Sequence, residues 1–241
     1  MTTVFRPRTM LATLVVAVCL AAPALASITF SDGTFDLANY GPLLTYVTDP
    51  GMTSAVQQIT SGGNPGDAVQ FTLTFPGTGT FEGYQGLMNN SWFYDPGTQG
   101  ALASITFSED KFIHQDGTIT LTGSNVRLLL LQGGNYYIGA VPVNPVFDTW
   151  AGGSGVLTAA DFAYFDFVSG TFDATVHPDF SSGVLQFGLA NYYGLVLNGG
   201  LTLTTNFDNY SATLNPVPEP SSLLLLGSGI VGLSGLVRRK M

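Results

Sequence analysis

Cysteine, base and histidine are scarce: one Cys, seven Lys and Arg together, and two His in 241 residues. The cysteine, Cys19, sits in an apolar N-terminal run. A body that begins after that run has no thiol for a disulfide or for thiolate chemistry, so it rests on packing. Arg6 and Arg8 open the chain, and Arg238, Arg239 and Lys240 close it. Only Lys111 and Arg127 lie between, against all sixteen acids, so residues 27–220 carry a formal net charge of −14. A phosphate-backbone reader needs a basic face to release counterions, and nucleic acid is therefore excluded as a partner. The sequence also lacks Gly-x-Ser-x-Gly, His-Glu-x-x-His and Gly-Lys-Ser/Thr. The body has just two glutamates, Glu82 and Glu109, and its histidines, His114 and His177, stand in unrelated contexts. The expectation is that the protein is not an enzyme. Disorder is excluded too, because 12% aromatic content supplies a core.

What is present at the two ends is addressing. Arg6 and Arg8 precede an apolar segment, Met10 to Ala22, and Ala24-Leu25-Ala26 offers small residues around a cleavage point before Ser27. Residues 1–26 are thus expected to be a secretory signal of the general export route, since Arg6-Pro-Arg8 is not a twin-arginine pair. At the other end, prolines at 216, 218 and 220 introduce an apolar stretch at 221–237 that is broken by Gly227, Gly229, Gly232 and Gly235. At ~1.5 Å per residue this helix would be about 25 Å long, nearly enough to span a bilayer. Arg238-Arg239-Lys240 would stay cytoplasmic, which places Ser27 to Pro220 outside the inner membrane.

Between the ends, residues 27–215 read as one all-β domain. Val69, Phe71, Leu73 and Phe75 alternate with Gln70, Thr72 and Thr74, the period of a half-buried strand. Leu201 to Phe207, Ile119 and Leu121, and Leu185 to Leu189 repeat the pattern, while Val126–Leu131 reads as a central strand covered on both sides. Turn signals separate these runs at Gly62-Gly63-Asn64-Pro65-Gly66, Asp95-Pro96-Gly97, Asp116-Gly117 and Asn198-Gly199-Gly200. Short strands at close spacing predict an antiparallel β-sandwich or jelly roll. Thr158-Ala-Ala-Asp161 is suited equally to capping a short helical turn and to forming a loop. Ser27-Ile-Thr-Phe-Ser31 recurs as residues 104–108, and Leu37-Ala-Asn-Tyr40 as residues 189–192, without a common spacing that would mark a solenoid.

Two resemblances follow from these residues. Pro218-Glu219-Pro220, the Gly-interrupted apolar helix and the terminal basic cluster resemble the PEP-CTERM sorting signal over about 26 residues. That resemblance implies a bacterial protein handled by an exosortase, a membrane-embedded protease. It would be delivered through the inner membrane to the cell surface, outer membrane or extracellular matrix, and such tails occur in Gram-negative-type bacteria that make extracellular polysaccharide. Phe30 to Asp36, the Gly62–Gly66 turn, His177-Pro178-Asp179-Phe180 and Phe207-Asp208-Asn209-Tyr210-Ser211 are similar to motifs of secreted PEP-CTERM proteins. This second resemblance implies a jelly roll like that of carbohydrate-binding modules, in which a structural calcium often ties an early loop to the last strand. Asp32 and Asp208 stand where they could supply that calcium with carboxylate oxygens.

Sugar sites use aromatic faces against the C–H face of a pyranose. The aromatic groups Trp92-Phe93-Tyr94, Tyr136-Tyr137, Trp150 and Tyr192-Tyr193 are candidates, with Trp92 and Trp150 the ones to test. Neighbouring residues of a strand point to opposite faces, so one ring of each pair should face outward. The leading expectation is an exported, non-enzymatic surface or matrix protein associated with exopolysaccharide. The alternatives are a carbohydrate-binding module with a defined glycan and, last, a secreted glycoside hydrolase, which would need two carboxylates facing a cleft.

Overall fold

Alternation sorts the strand residues between an interior and a surface. Val69, Phe71, Leu73 and Phe75 are buried to within 1% of full burial, and Gln70, Thr72 and Thr74 between them face out. The computed structural model describes residues 26–116, 119, 124–144 and 146–217. The expected signal segment, apart from Ala26, and the expected membrane helix at 221–237 lie outside the described residues, as do Leu121 and Gly117. Among the described residues no helix is long and apolar enough to cross a membrane.

Ser27–Pro216 forms one unit, an all-β sandwich of two antiparallel sheets. The six-stranded sheet runs β3 (Thr53–Gly63), β4 (Gly66–Phe75), β13 (Leu201–Pro216), β6 (Leu102–Asp116) and β9 (Ala151–Leu157), with β1 (Ile28–Asp32) also paired to β13. The seven-stranded sheet runs β11 (Phe172–Asp173), β10 (Phe162–Phe165), β8 (Asn135–Val143), β7 (Ser124–Gln132), β12 (Leu185–Asn198), β5 (Thr78–Tyr94) and β2 (Leu44–Val47). The expected strands around Val69, Val126, Leu185 and Leu201 are therefore β4, β7, β12 and β13. Ile119 lies in no strand.

The inward faces interdigitate Phe71, Phe107 and Phe207 from one sheet with Leu128, Leu130, Phe187 and Leu189 from the other. Each such side chain contributes roughly 1.5–3 kcal/mol on burial. Polar links also cross this interior. The Gln85 amide of β5 donates to Ser54 Oγ at 2.9 Å and to the Thr72 carbonyl at 3.0 Å, and Asn191 Nδ2 donates to Gln85 Oε1 at 3.0 Å.

The recurring pentapeptide has a structural counterpart. Ile28 and Ile105 both sit opposite Leu214, Phe30 and Phe107 opposite Ala212, and Ser31 and Ser108 opposite Ser211. The two copies flank one strand in one register, so β13 meets the same residues on both sides. Leu37-Ala-Asn-Tyr40, by contrast, forms a 3₁₀ turn, whereas its copy at 189–192 is strand. Asp95-Pro96-Gly97, expected as a plain turn, begins a helical turn at Pro96–Gln99. Asp95 accepts from Gly97 N at 2.9 Å as its cap, and proline fits the first helical position because its missing N–H is not needed there. Thr158 does cap a turn, donating to Asp161 Oδ2 from its N–H and its hydroxyl, both at 2.7 Å.

Candidate functional site

In antiparallel pairing, directly opposed residues share a face. On β12, Leu189, Asn191 and Tyr193 point inward, so Ala190, Tyr192 and Gly194 point outward. Tyr192 is opposite Tyr84 of β5, and Tyr84 is opposite Tyr46 of β2. Three tyrosines thus form one row across three adjacent strands on the outer face of the seven-stranded sheet. The Tyr84 and Tyr192 rings lie 4.2 Å apart with planes inclined by 32°. Arg127, facing outward from β7, holds its guanidinium 5.0 Å from the Tyr192 ring centre. Tyr192 OH is directed at Glu82 Oε1, 3.5 Å away.

The rest of this outer face is apolar and is covered by the chain itself. From the end of β10 the chain crosses the face, burying Phe165, the last residue of that strand, and Phe167 to 1% and 7% exposure against Met88, Leu129, Ile138 and Ala190. Phe165 stacks on Tyr84 at 4.1 Å and meets Tyr46 edge-on at 6.0 Å. Gly86 leaves room for this strap, since a β-carbon there would lie 3.0 Å from Phe167 and 2.8 Å from Leu129. Gly170 has φ +72° and lies on the Tyr46 ring so closely that any side chain would collide with it. Asp166 holds the turn: its carboxylate accepts from Val168 N at 2.8 Å and Ser169 Oγ at 2.6 Å. These bonds favour the ionised carboxylate and lower its pKa. This strap is the outer cover of β7 that its continuous apolar sequence requires.

The strap seals one end of the tyrosine row and leaves Tyr192, Arg127 and Glu82 at the open end. Burial there raises the pKa of Tyr192 and lowers that of Arg127, in each case by disfavouring the charged form. The Tyr192 end therefore presents a neutral phenol beside a cation, a surface that offers ring edges, a hydroxyl and guanidinium donors together.

The residues singled out from sequence are placed otherwise. Trp92 does not face solvent. It is only 8% exposed and stacks on Tyr210 at 4.8 Å and Phe30 at 5.9 Å, with Tyr40 edge-on at 6.0 Å. A local irregularity in β5 near Met88 turns Trp92 and Tyr94 into the core and leaves Phe93, 47% exposed, outside. Trp150 is half-buried against Phe112, 5.6 Å away, on the six-stranded sheet. The two tryptophans thus belong to different environments and form no common site. Tyr136 and Tyr192 face outward while Tyr137 and Tyr193 join the interior, as alternation requires.

Asp32 and Asp208 also fail to converge. Asp32 is opposite Tyr210, a core residue, and spends its carboxylate on its own loop. It accepts from Thr34 N at 2.7 Å, Phe35 N at 2.8 Å and Tyr40 OH at 2.8 Å. Asp208 points to the other side of the sheet beside Asp110, fully buried beneath the β3–β4 turn, where it accepts from the backbone N–H of Asn64 and of Asn209. A bulge after Asp208, with Asn209 at φ +51°, separates the two faces. Among the described residues no three His, Cys, Asp or Glu side chains are grouped so as to hold a metal ion.

Residues 216–240 match the PEP-CTERM protein-sorting motif. The chain thus carries that signal, including Pro218, Glu219 and Pro220, and the signal implies export, sorting to the cell surface and processing by an exosortase. No curated protein matches the chain. Among solved structures, the chain is similar to the family 11 carbohydrate-binding module of the cellulosomal cellulase Lic26A-Cel5E of Clostridium thermocellum. That match has 14% identity and TM-score 0.40, covering 80% of this chain and 96% of the module. It is also similar to a family 11 module from Clostridium thermocellum in complex with a β-1,3-1,4-mixed-linked tetrasaccharide. There the identity is 14% and the TM-score 0.38, over 79% and 97% of the two chains.

Proposed function

We propose that this is an exported, non-enzymatic protein of the bacterial surface or matrix that holds extracellular polysaccharide on the outer face of its seven-stranded sheet. The observation that carries the reading is the Tyr46–Tyr84–Tyr192 row, set in register across three strands and flanked by Arg127 and Glu82. The outward edge of the stacked rings offers an apolar rim to pyranose C–H groups, and the polar groups beside it meet the hydroxyls. The row sits on strands, so it needs no ordering when ligand arrives.

Support for a non-enzymatic role comes from the histidines. His114 Nδ1 pairs with Asp148 at 2.6 Å on the six-stranded sheet. His177 Nδ1 is 2.6 Å from the carbonyl oxygen of Phe162. Both histidines are held by partners outside the tyrosine row, and the carboxylate at the row, Glu82, is directed at Tyr192 OH.

Affinity electrophoresis of the intact chain through gels containing purified glucans, uronans and the producing cell's own polysaccharide tests this reading. Retardation by at least one of these is expected. Tyr192→Ala should weaken it about tenfold, which is about 1.4 kcal/mol. Retardation that Tyr192→Ala leaves unchanged would take the site away from this face.

A further inference from the structure

Arg127 occupies an unusual position for a cation. The body is strongly acidic, and the only other base among residues 27–217, Lys111, lies inside the sandwich at 1% exposure. Arg127 is therefore the one Lys or Arg head on the surface of the described body. Fifteen carboxylates are available to it between Asp32 and Asp208. Even so, none comes within ion-pairing distance, and its guanidinium makes no hydrogen bond to the described residues. Among the described residues its contact is the Tyr192 ring, on which it rests half-buried. Glu82, the acid at the row, leans toward Tyr192 OH instead.

Leaving a partly desolvated guanidinium unpaired is unfavourable, while acids elsewhere in the chain spend their oxygens on local turns. Stacking on the ring preorganises the planar head and leaves its N–H fork unspent. A carboxylate fits that fork with two charge-assisted hydrogen bonds, each roughly twice as strong as a neutral one. A neutral hydroxyl can accept from the fork but leaves the charge uncompensated. Acids more than about 8 Å away oppose an anion weakly, because they are screened at physiological salt, which leaves Glu82 as the acid of the row that opposes it.

Resting on the sugar reading above, we propose that the ligand is an acidic polysaccharide, with a uronate seated at the open end of the tyrosine row and its carboxylate held by Arg127. Tyr192, backed by Tyr84, holds the guanidinium in place, and Arg127 selects the charge. The strap after β10 closes the other end of the row, so the chain enters from the Tyr192 side.

The test uses the intact chain and matched tetrasaccharides that differ only at C6: β-1,4-glucose against β-1,4-glucuronate, α-1,4-galactose against α-1,4-galacturonate, and β-1,4-mannose against β-1,4-mannuronate. Calorimetric titration should show at least one uronate binding tenfold or more tightly than its neutral partner, with the preference shrinking as sodium chloride rises. Arg127→Gln should bring the two affinities of that pair together, and a thermal melt of the variant establishes that it is folded. The wild-type comparison needs no variant at all. Equal affinities within every pair that binds overturn the acidic assignment and leave sugar binding standing. A uronate preference that survives Arg127→Gln overturns the role given to Arg127. No binding to any of the six tetrasaccharides, together with no retardation in the glucan and uronan gels, removes both readings.

Discussion

The two outer faces of the sandwich are built from the same pleated geometry and solve opposite problems. On the six-stranded sheet the outward residues run Thr53–Thr74–Thr202–Asp116 in one cross-strand row and Gln57–Gln70–Asn206–Phe112 in another. Side-chain amides link the second row, with Gln70 Nε2 donating to Asn206 Oδ1 at 2.9 Å. This face carries its own hydrogen bonds and is content in water. On the seven-stranded sheet the outward residues are Leu44, Tyr46, Tyr84, Met88, Leu129 and Ile138, and the chain folds a strap with two phenylalanines across them. The comparison shows how one sandwich holds a stable wet face beside an aromatic one. The aromatic face persists because it is mostly sealed, and what remains open at Tyr192 is small enough to be a site.

The largest effect that separates the faces is expected from the strap. Phe167→Ala removes a ring that contacts both Phe165 and Tyr136, at 4.9 and 5.3 Å. It should cost about 3–5 kcal/mol. Thr204→Ala, in the middle of the polar face between Thr72 and His114, should change stability by no more than about 0.5 kcal/mol. Urea unfolding of both variants decides the matter. Equal, small losses would mean that the strap is not packed as described and that the two faces are energetically alike.

Between the faces lies a smaller effect with a pH signature. Glu109 is fully buried on β6, and its carboxylate oxygens have no hydrogen-bond partner among the described residues. Burial pushes its pKa well above the usual range, only partly offset by Lys111. Lys111 is itself pulled down to about 7, chiefly by desolvation, with Arg127 adding to it and Glu109 opposing. A raised carboxyl pKa means that the folded state holds the proton more tightly than the unfolded state does. Its contribution is fully present below the unfolded value of 4.5 and is lost as pH rises toward the folded value. Glu109→Gln should therefore raise the melting temperature more at pH 8 than at pH 4, each tenfold of proton affinity being worth about 1.4 kcal/mol. A variant less stable than wild type at pH 8 would show instead that the ionised carboxylate stabilises Lys111.

The strands were legible in the sequence because burial imposes a period of two. Val69 to Phe75 and Leu201 to Phe207 have that period and form strands as expected. The sorting signal was equally plain, since its three parts are contiguous. The tyrosine row was not, because Tyr46, Tyr84 and Tyr192 are brought together only by strand order and register, neither of which local pattern encodes. Alternation did indicate that one ring of Tyr192-Tyr193 faces outward. It could not exclude Trp92, whose inward turn depends on an irregularity in pairing rather than on any residue near it. The strap was half visible: the continuous apolar sequence of β7 called for cover on both sides, but nothing local said that residues 165–170 would supply it.

The smallest expected effect concerns calcium, and it bears on the polar face. Asp110, Asp208 and the Asn64 carbonyl oxygen meet at the β3–β4 turn, which is the nearest this face comes to an oxygen cluster. Calcium wants six to eight oxygens that are free to coordinate. Here the oxygens already accept from amides: Asn209 Nδ2 reaches Asp110 Oδ2 at 2.8 Å and Asn64 Nδ2 reaches the same oxygen at 3.1 Å. Asparagine donors thus take the place a cation would occupy, and Asp32 lies on the opposite side of the sheet. A millimolar calcium addition should leave the melting temperature within about 1 °C, a change of no more than about 0.3 kcal/mol by the usual entropy of unfolding. A rise of several degrees that chelator reverses would show that these amides yield to the ion, and that the polar face, like the aromatic one, is held by something beyond its own side chains.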